Sequence, residues 1–291
     1  MYSRLFALPL AIAIHTGLVG ADPASPSRGS ATGPAVQAST PAVPPLKPSW
    51  AHTIVRDSYG WYADLIVKGI IQRMRWIPPG SFSMGSDVWK AWGHTEKPMH
   101  TVQFPHGFWI SDSEVTQELW TAVMGTNPSN FVGDVRRPVE KVSWNDGEAF
   151  YRRLNALVPG LDATFPTESR WEYACKAGTT GDHAGNVDDM SWFDENSGRT
   201  THPVKMRQPN PWGIYDMHGN VSEWCLDWYG TYPESAIDPS GPDTGTNRVH
   251  RGGSWINYRS DSQSTRRQMN AVVFASHDRG LRISTGLMIK K

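Results

Sequence analysis

Three stretches of the chain carry apolar residues at the spacing of three and four that predicts an amphipathic helix. They span residues 113–125, 145–158 and 167–178, and each is followed or closed by Gly or by a Pro-Gly pair. The expected N-caps are, in order, Ser113, Asn145 and Thr167. Because aromatic residues at helical spacing usually face inward, we expect those of the three helices to lie in the core.

Strands are predicted where apolar residues alternate or run together between turn residues. The segments Met74–Ile77, His100–Phe104 and Gly280–Ile283 have this pattern. Residues 179–209 and 229–246 are rich in Gly, Pro, Asp and Asn and are predicted to be long loops. Few periodic elements joined by many loops predict a mixed α+β fold.

The stretch from Asn210 to Trp228 has neither helical nor strand periodicity. It contains three Trp, one Tyr and two Gly, together with the polar side chains of Asp216, Asn220, Glu223 and Asp227. Aromatic rings bury surface that polar backbone cannot, and the side-chain oxygens require hydrogen bonds or a hard cation. We interpret this organising stretch as an ordered loop around which the rest of the domain packs.

The first 48 residues differ in composition from the rest of the chain. An apolar run that is too short for a membrane span follows Arg4 and ends at small residues, so residues 1–21 are predicted to be a signal peptide. Residues 22–48, rich in Pro, Ser and Ala, are predicted to be a disordered linker before a domain at 49–291. We therefore expect an exported protein, periplasmic or secreted, with no stable membrane span.

Net charge and cysteine content exclude few classes of function. Lys+Arg and Asp+Glu both number 28, so the formal net charge is zero and no basic surface for nucleic acid is indicated. Cys175 and Cys225 are the only two cysteines. The sequence leaves open whether they form a disulfide or remain buried free thiols.

Five segments resemble, in the same order, the signature segments of the formylglycine-generating enzyme or sulfatase-modifying-factor family. They are Trp76–Ser86, Glu114–Trp120, Phe165–Ala174, Asn210–Trp228 and Arg248–Trp255. The resemblance covers roughly residues 70–284 and implies the loop-rich fold of that family, which is related to C-type lectins. In the family's enzymes the cysteine equivalent to Cys175 pairs with one near the C-terminus, and Ile283 stands at that position here.

The resemblance also implies where a copper-dependent oxidase of this family would hold its metal. The two copper-binding cysteines follow the Gly-Gly-Ser-aromatic segment, and Asn257 and Ser262 stand at the equivalent positions. Cu(I) selects soft sulfur ligands, whereas a neutral amide or hydroxyl is a hard, weak donor. We therefore do not expect copper, or formylglycine generation by the family mechanism.

A structural calcium site on the organising stretch is a further implication of the resemblance. Its ligands would be Asp216, the backbone carbonyls of Gly219 and Val221, and Glu223. The residues themselves support this expectation, because hard oxygens cluster on one irregular segment. The alternative is that Asp216 and Glu223 only accept hydrogen bonds from the backbone.

The C-terminal region has the mixture of aromatic and arginine residues that is typical of interaction hot spots. The candidate ligand-binding residues are Trp255, Asn257, Arg259, Ser262, Arg266 and Arg267. Relatives diversified by retroelements vary this region, which implies that a binding pocket persists without the cysteines. Arg266 and Arg267 suit a carboxylate or phosphate. The alternative is that Arg259 and Arg266 brace the fold by pairing with carboxylates.

Other chemistries have weaker support. None of the ten His forms a His-x-x-x-His pair on a predicted helix, and His277 and Asp278 are merely adjacent on a loop. A serine nucleophile at Ser254 or Ser262 would lack the nucleophile elbow.

The sequence thus predicts an exported member of the family that binds a peptide, protein or small-molecule ligand and has no confidently assigned catalytic residue. The alternative is an oxidoreductase similar to the periplasmic pyoverdine-maturation relatives, which also lack the cysteine pair. True formylglycine generation on sulfatases is the third possibility.

Overall fold

The computed structural model describes residues 44–88 and 95–286. The expected signal peptide, and all but the last five residues of the expected linker, lie outside this part of the chain. Within the described ranges, no helix has both the length and the apolar character needed to cross a membrane.

The regular structure of this part of the chain consists of short strands, three longer α-helices, one single-turn α-helix and a 3₁₀ helix at Arg259–Ser262. The strands are β1 Val55–Asp57, β2 Gly60–Val67, β3 Ile70–Ile77, β4 Gly80–Met84, β5 His100–Phe104, β6 Phe108–Ser111, β7 Ser222–Trp228, β8 Ser235–Ile237, β9 Asn247–Arg251, β10 Arg267–Ala271, β11 Arg279–Gly280 and β12 Ser284–Thr285. The α-helices are α1 Gln117–Met124, α2 Trp144–Leu157, α3 Glu168–Lys176 and α4 Val187–Met190. The predicted mixed α+β, loop-rich fold is confirmed.

The strands form three sheets. The first has the order β1-β2-β3-β6-β12, the second β10-β9-β7-β11, and the third β4-β5-β8. The predicted strand at 74–77 is the second half of β3, and the predicted strand at 100–104 is β5. Strands β7 and β9 to β11 come from the C-terminal half, so the second sheet carries most of the segments in which the sequence places candidate chemistry.

Two apolar clusters hold the sheets and helices together. In the first, the rings of Trp120 on α1 and Phe150 on α2 stack with centroids 5.1 Å apart. In the second, Tyr173 on α3 packs against Phe104 on β5 at 4.9 Å and against Trp212 of the organising stretch at 5.0 Å. Each such buried aromatic side chain stabilises the fold by about 1.5–3 kcal/mol. The expectation that most helix aromatics lie in the core is confirmed.

Helix α3 begins where the sequence predicts. Thr167 accepts a hydrogen bond from the backbone N–H of Arg170, and the helix ends at Ala177 in the left-handed conformation, one residue before the predicted Gly178. The caps of the other two helices differ from the prediction. Thr116, and not Ser113, caps α1.

Helix α2 starts before the predicted Asn145 cap because Ser143 forms a capping box. Its side chain accepts from the backbone N–H of Asp146, and the carboxylate of Asp146 accepts from the backbone N–H of Ser143. Leu157 belongs to the apolar pattern of the predicted helix but is 44% exposed at the last turn.

Part of the organising stretch is a strand, so the prediction of an entirely irregular loop is wrong for Ser222–Trp228. Strand β7 is paired on both sides, antiparallel to β9 and parallel to β11, and most of its side chains are buried. A strand covered on both faces shows no polar-apolar alternation, which is why period-2 analysis overlooks it.

The predicted strand Gly280–Ile283 lies mostly between two short strands that belong to different sheets. Its first residue belongs to β11, and β12 begins after its last residue. The carbonyls of Leu281 and Ile283 accept from the backbone N–H groups of Val115 and Ser111, at 2.9 and 2.8 Å. The predicted loop at 229–246 contains β8, whose three residues add to β5 in parallel.

Candidate functional site

The first half of the organising stretch is fastened to α3 by one asparagine. Asn210 Oδ1 accepts from the backbone N–H groups of Trp212 and Ile214, and its Nδ2 donates to the carbonyl of Ala174 at 2.7 Å. Because both ends of the buried amide are satisfied, the turn that follows has a fixed position beside the helix.

The middle of the stretch is a tight turn that few residue types can form. Asp216 and Asn220 have φ of +61° and +64°, a region that Asp and Asn enter more easily than most residues. At Gly219 a Cβ atom would lie 2.3 Å from the carbonyl oxygen of Trp192, so only Gly fits. The Asn220 amide donates to Glu114 Oε2 at 2.7 Å and holds the turn from the other side.

Three buried carboxylates and one guanidinium meet beneath this turn. Arg282 donates to both oxygens of Glu223, through Nη2 at 2.6 Å and Nε at 2.9 Å, and Trp171 Nε1 donates to Glu223 Oε2 at 2.8 Å. Glu114 Oε1 accepts from the backbone N–H of Val221 at 2.9 Å. We call Glu114, Asp216, Glu223 and Arg282 the carboxylate cluster.

Burial favours the protonated forms of Glu114 and Asp216 in the carboxylate cluster. Burial, reinforced by the charges of Asp216 and Glu223, raises the pKa of Glu114 well above its ordinary value. Burial also raises the pKa of Asp216 to about 6, although a hydrogen bond from the backbone N–H of Lys205 opposes the rise. With one arginine for three carboxylates, a bound cation would stabilise the ionised forms.

Of the two carboxylates predicted to bind calcium, Asp216 and Glu223, only Asp216 has an oxygen atom without a hydrogen bond in the described structure. Asp216 Oδ1 is buried without a hydrogen-bond partner in the described structure, whereas both oxygens of Glu223 already accept hydrogen bonds. Within residues 44–88 and 95–286, no three His, Cys, Asp or Glu side chains group as a metal site. Calcium would therefore depend on Asp216 and on the carbonyls of Gly219 and Val221, with Glu223 shared with Arg282.

The candidate ligand residues begin with a buried anchor. The Trp255 ring packs edge-on against Phe131 at 5.0 Å, and its Nε1 donates to the carbonyl of His277 at 3.0 Å. The adjacent residues His277 and Asp278 do not form a dyad, because Asp278 accepts from Arg279 at 2.9 Å while the His277 ring faces Trp255.

At the two positions equivalent to the family's copper cysteines, both side chains form hydrogen bonds within their own loop, and Ser262 Oγ also lies 3.3 Å from His183 Nε2. Asn257 Oδ1 accepts from Ser254 Oγ at 2.6 Å, and Ser262 Oγ donates to the carbonyl of Arg259 at 2.7 Å. Ser262 is buried, and Asn257 is half-buried. These atoms are oxygen donors and acceptors of a turn, so the pair does not fit Cu(I).

The three candidate arginines differ in their surroundings. Arg259 is half-exposed and pairs with the half-exposed Asp188 at 2.5 Å. Arg266 is less exposed and pairs with Asp261. Arg267 is buried, and its Nε and Nη2 donate to Glu168 at 2.8 and 2.6 Å. Arg267 therefore braces α3 against β10, and Arg259 presents the most accessible guanidinium of the three.

Two histidines lie beside Ser262, His183 from the 179–209 loop and His218 from the organising stretch. His218 Nδ1 lies 2.8 Å from the carbonyl of Ser262, and its Nε2 accepts from the backbone N–H of Ala184 at 3.1 Å. Burial, with His183 nearby, lowers the pKa of His218 to about 3. His218 is therefore a neutral residue that fixes the loop, with Nδ1 as its donor.

Both cysteines are buried free thiols. Burial raises the pKa of Cys175 to about 12, and burial followed by the charge of Asp227 raises the pKa of Cys225 well above its ordinary value. The disulfide that the sequence leaves open is not formed. Ile283, at the position of the family's partner cysteine, is buried in the first apolar cluster, whereas Cys175 lies in the second.

Sequence reasoning overlooks two members of the carboxylate cluster. The sequence predicts Glu114 only as part of a helix segment and Arg282 only as part of a strand. Arg282 carries a usable signal, since an arginine between Leu281 and Ile283 in an apolar segment requires a buried partner.

Comparisons with known proteins identify the family and support the fold. Residues 67–286 match the family described as the sulfatase-modifying factor enzyme 1-like domain. The formylglycine-generating enzyme of Streptomyces coelicolor is 36% identical over 148 residues, which cover 44% of this chain and 45% of that enzyme. A protein of Paenibacillus barcinonensis named chaperone protein LppX is 29% identical over 204 residues, 51% of this chain and 69% of its own length.

Among solved structures, the Treponema denticola variable protein 1 has the same fold. It superposes with a TM-score of 0.71 at 29% identity, and the match covers 77% of this chain and 98% of that protein. The match to the Streptomyces enzyme, in contrast, spans less than half of that enzyme's length.

Proposed function

Because this chain belongs to the family of sulfatase-modifying factor enzyme 1-like domains, we propose that it uses the family fold to bind a peptide or small ligand, without copper-dependent oxidation. The observation that carries the proposal is the replacement of the two family cysteines by Asn257 and Ser262, whose side chains form hydrogen bonds to their own loop and, at Ser262, also contact His183. A binding role needs no thiolate at these positions.

The remaining thiols do not restore a copper site. Cys175 and Cys225 are the only cysteines of the chain, and both lie in the second apolar cluster. Their raised pKa values keep them protonated at neutral pH, whereas Cu(I) binds thiolates. The proposed function therefore contains no step that passes through copper.

We place ligand binding on the surface of residues 255–263, which we call the 255–263 face. Tyr258 is 68% exposed and Ile256 38% exposed, and the Arg259 guanidinium lies beside them in the sequence, paired with Asp188. Beneath them, buried Trp255 fixes the loop. An exposed aromatic and an arginine on a fixed backbone are the side chains that most often dominate binding energy.

The fixed backbone supports binding in a second way. The N–H of Trp255 donates to the carbonyl of Asn220, and the N–H of Asp194 donates to the carbonyl of Asn257 at 3.0 Å. The 255–263 face is thus attached to the organising stretch and to the 179–209 loop. A preformed surface loses less conformational entropy when it binds, so a small set of contacts suffices for measurable affinity.

Selection of peptides on the purified protein tests this proposal. Random peptides displayed on phage would be selected against the protein, and their affinities would be measured for it and for the double variant Tyr258→Ala, Arg259→Ala. We expect the double variant to bind at least about 10-fold more weakly, which corresponds to about 1.4 kcal/mol. Val273→Ala, at a position that is 72% exposed elsewhere, is the matched control and should bind normally.

The binding proposal fails if selected peptides bind the double variant as tightly as the unaltered protein. The oxidoreductase alternative is tested in parallel by copper and iron analysis and by oxygen uptake with a Cys-x-Pro-x-Arg peptide. Metal-dependent oxygen uptake, or conversion of the cysteine detected by mass spectrometry, would favour an enzyme over a binding protein.

We also propose that a structural calcium ion binds at the organising stretch. The buried Asp216 Oδ1 without a partner supports this proposal, since a cation there would replace the missing hydrogen bond. Calcium should raise the melting temperature relative to protein in EDTA. At a calcium concentration 100 times Kd, the expected gain in the free energy of unfolding is about 2.7 kcal/mol. Asp216→Asn, which tolerates the same backbone conformation, should abolish this shift. An equal shift in Asp216→Asn would place any calcium elsewhere.

Export remains a proposal that rests on residues 1–21 and their apolar run. Sequencing the N-terminus of protein recovered from the host's extracytoplasmic fraction tests it, with cleavage after Ala21 or a neighbouring small residue as the expected result.

A further inference from the structure

A second concave site lies at the N-terminal end of α3, away from the 255–263 face. Its volume is about 560 Å³, within the range of about 300–1,000 Å³ that small-molecule sites occupy. Asp227 and Trp228 form one side, Tyr232 and several prolines of the 229–246 segment form another, and His100 and Arg267 complete the wall. We call it the α3 cleft. None of residues 255–263 lines it.

The positive charge in this wall is already neutralised. Arg267 donates to both oxygens of Glu168, and its Nη1 donates to the carbonyl of Gly230 at 2.8 Å. Tyr232 Oη donates to Glu168 Oε1 at 2.9 Å. Arg267 therefore has no free donor pair to offer an anionic ligand, and Glu168 has no free oxygen to offer a cation.

Asp227 is the charged group of the cleft that remains without a counter-ion. Its Oδ2 accepts from the backbone N–H of Glu168 at 2.7 Å, and none of the ion pairs found within residues 44–88 and 95–286 includes it. Burial and the neighbouring charge of Glu168 raise the pKa of Asp227 to about 7, against the opposing effects of Arg267 and Arg248. A cation in the cleft would be its first direct counter-ion among the described residues.

His100 supplies a second acceptor. Its Nδ1 lies 2.9 Å from the carbonyl of Pro98, which can only accept, so Nδ1 carries a proton and Nε2 is the ring nitrogen left to act as an acceptor. His100 is 5% exposed, and Nε2 has no hydrogen-bond partner in the described part of the chain. The ring lies 4.8 Å from that of Tyr232. A buried acceptor without a donor costs about 1–3 kcal/mol, which a ligand N–H would offset.

We propose that the α3 cleft binds a small organic cation with an apolar body, of the arylalkylamine class. The ammonium group would pair with Asp227, with His100 Nε2 as a second acceptor. The apolar body would lie against Tyr232 and the proline-rich wall. Anions are disfavoured there because the only guanidinium of the wall is held by Glu168. This site is independent of the 255–263 face and goes beyond the function proposed for it.

Calorimetric titration with three matched probes tests the proposal. Phenethylamine has an ammonium group, 2-phenylethanol is its neutral counterpart and 3-phenylpropionate carries a carboxylate. At pH 8 we expect phenethylamine to bind with a Kd of ~1 mM or tighter and at least about 10-fold more tightly than the other two. Lowering the pH to 6 protonates Asp227 and should weaken phenethylamine binding about 10-fold, because the ionised fraction falls by that factor around a pKa of about 7.

Two variants locate the binding. Asp227→Asn keeps an oxygen for the N–H of Glu168 but removes the charge, and should weaken phenethylamine binding at pH 8 about 10-fold and reduce its pH dependence. Thr231→Trp places a large ring at an exposed position of the cleft wall and should block binding of all three probes. Thr180→Trp, exposed in a different part of the chain, is its matched control and should bind phenethylamine normally.

The proposal is overturned if the three probes bind equally, if phenethylamine does not bind at ~10 mM, or if its binding survives both Asp227→Asn and Thr231→Trp. The Tyr258→Ala, Arg259→Ala variant should bind phenethylamine normally. Failure of the 255–263 face as a peptide site and failure of the α3 cleft are therefore distinguishable.

Discussion

Replacing Arg282 with Met should destabilise the domain far more than the same change at a surface arginine. Arg282 is fully buried and donates to both oxygens of Glu223, to the carbonyl of Ser111 at 2.9 Å and to that of Tyr215 at 2.8 Å. Methionine preserves much of the volume but removes the charge and all of these donors. The variant therefore leaves a buried carboxylate without its cation.

The size of the loss follows from that uncompensated charge. Removing one partner of a buried ion pair typically costs about 3–5 kcal/mol, whereas most domains have about 5–15 kcal/mol of total stability. Glu114 and Asp216 lie in the same cluster, and the charge of Arg282 lowers the pKa of both. Without it their folded-state pKa values rise further. The loss should be largest at high pH and shrink as the pH falls and the carboxyl groups take up protons.

Urea unfolding of the purified protein, followed by fluorescence, measures this loss. We expect the midpoint to fall with little change in slope, and the double variant Arg282→Met, Glu223→Gln to recover part of the stability because the unpaired charge is gone. Arg136→Met is the control, since Arg136 pairs with Asp134 at the surface and should leave the midpoint unchanged. A loss below about 1 kcal/mol for Arg282→Met would refute the claim that this ion pair holds the organising stretch.

Local geometry leads to three further predictions. Gly219→Ala should cost about 2–3 kcal/mol in urea unfolding, because its Cβ would lie 2.3 Å from the carbonyl oxygen of Trp192 and the backbone must shift. Ser143→Ala removes the cap of α2 and should cost about 1 kcal/mol in the same assay, whereas a loss near zero would show that the capping box contributes nothing. Cys175 and Cys225 should resist a disulfide reagent at pH 8 in the native state and react fully in denaturant, and rapid native labelling would contradict their burial.

The elements that the sequence locates best are those whose signals are local. Thr167 and the residues of α3 carry their cap, dipole and apolar face within one short segment. The shifted start of α2 is also local, since Ser143 and Asp146 have the spacing of a capping box. Period and caps therefore predict these helices to within a turn.

Strand β7 and the candidate sites depend on partners that are distant in the chain. The pairing of β7 with β9 and β11 decides that Ser222–Trp228 is extended, and no property of the segment alone does so. In the same way, Asp227 and His100 line one cleft because β5 and β7 are brought together in three dimensions. Counting from a motif locates Asn257 and Ser262, but their hydrogen bonds depend on how the loop folds.

Buried charge, as well as apolar packing, determines how α3 is oriented. Glu168 and Glu172 lie four residues apart on one face of the helix, and Arg251 of β9 donates to both of them. Arg267 of β10 adds a second pair to Glu168, and Lys176 donates to Glu172 at 2.7 Å. Because ion pairs fix direction more strictly than apolar contacts do, these bonds fix the rotation of α3 about its axis. That rotation places the N-terminal end of α3 in the wall of the α3 cleft and Trp171 beneath the organising stretch. One set of buried charges therefore positions both the α3 cleft and the carboxylate cluster.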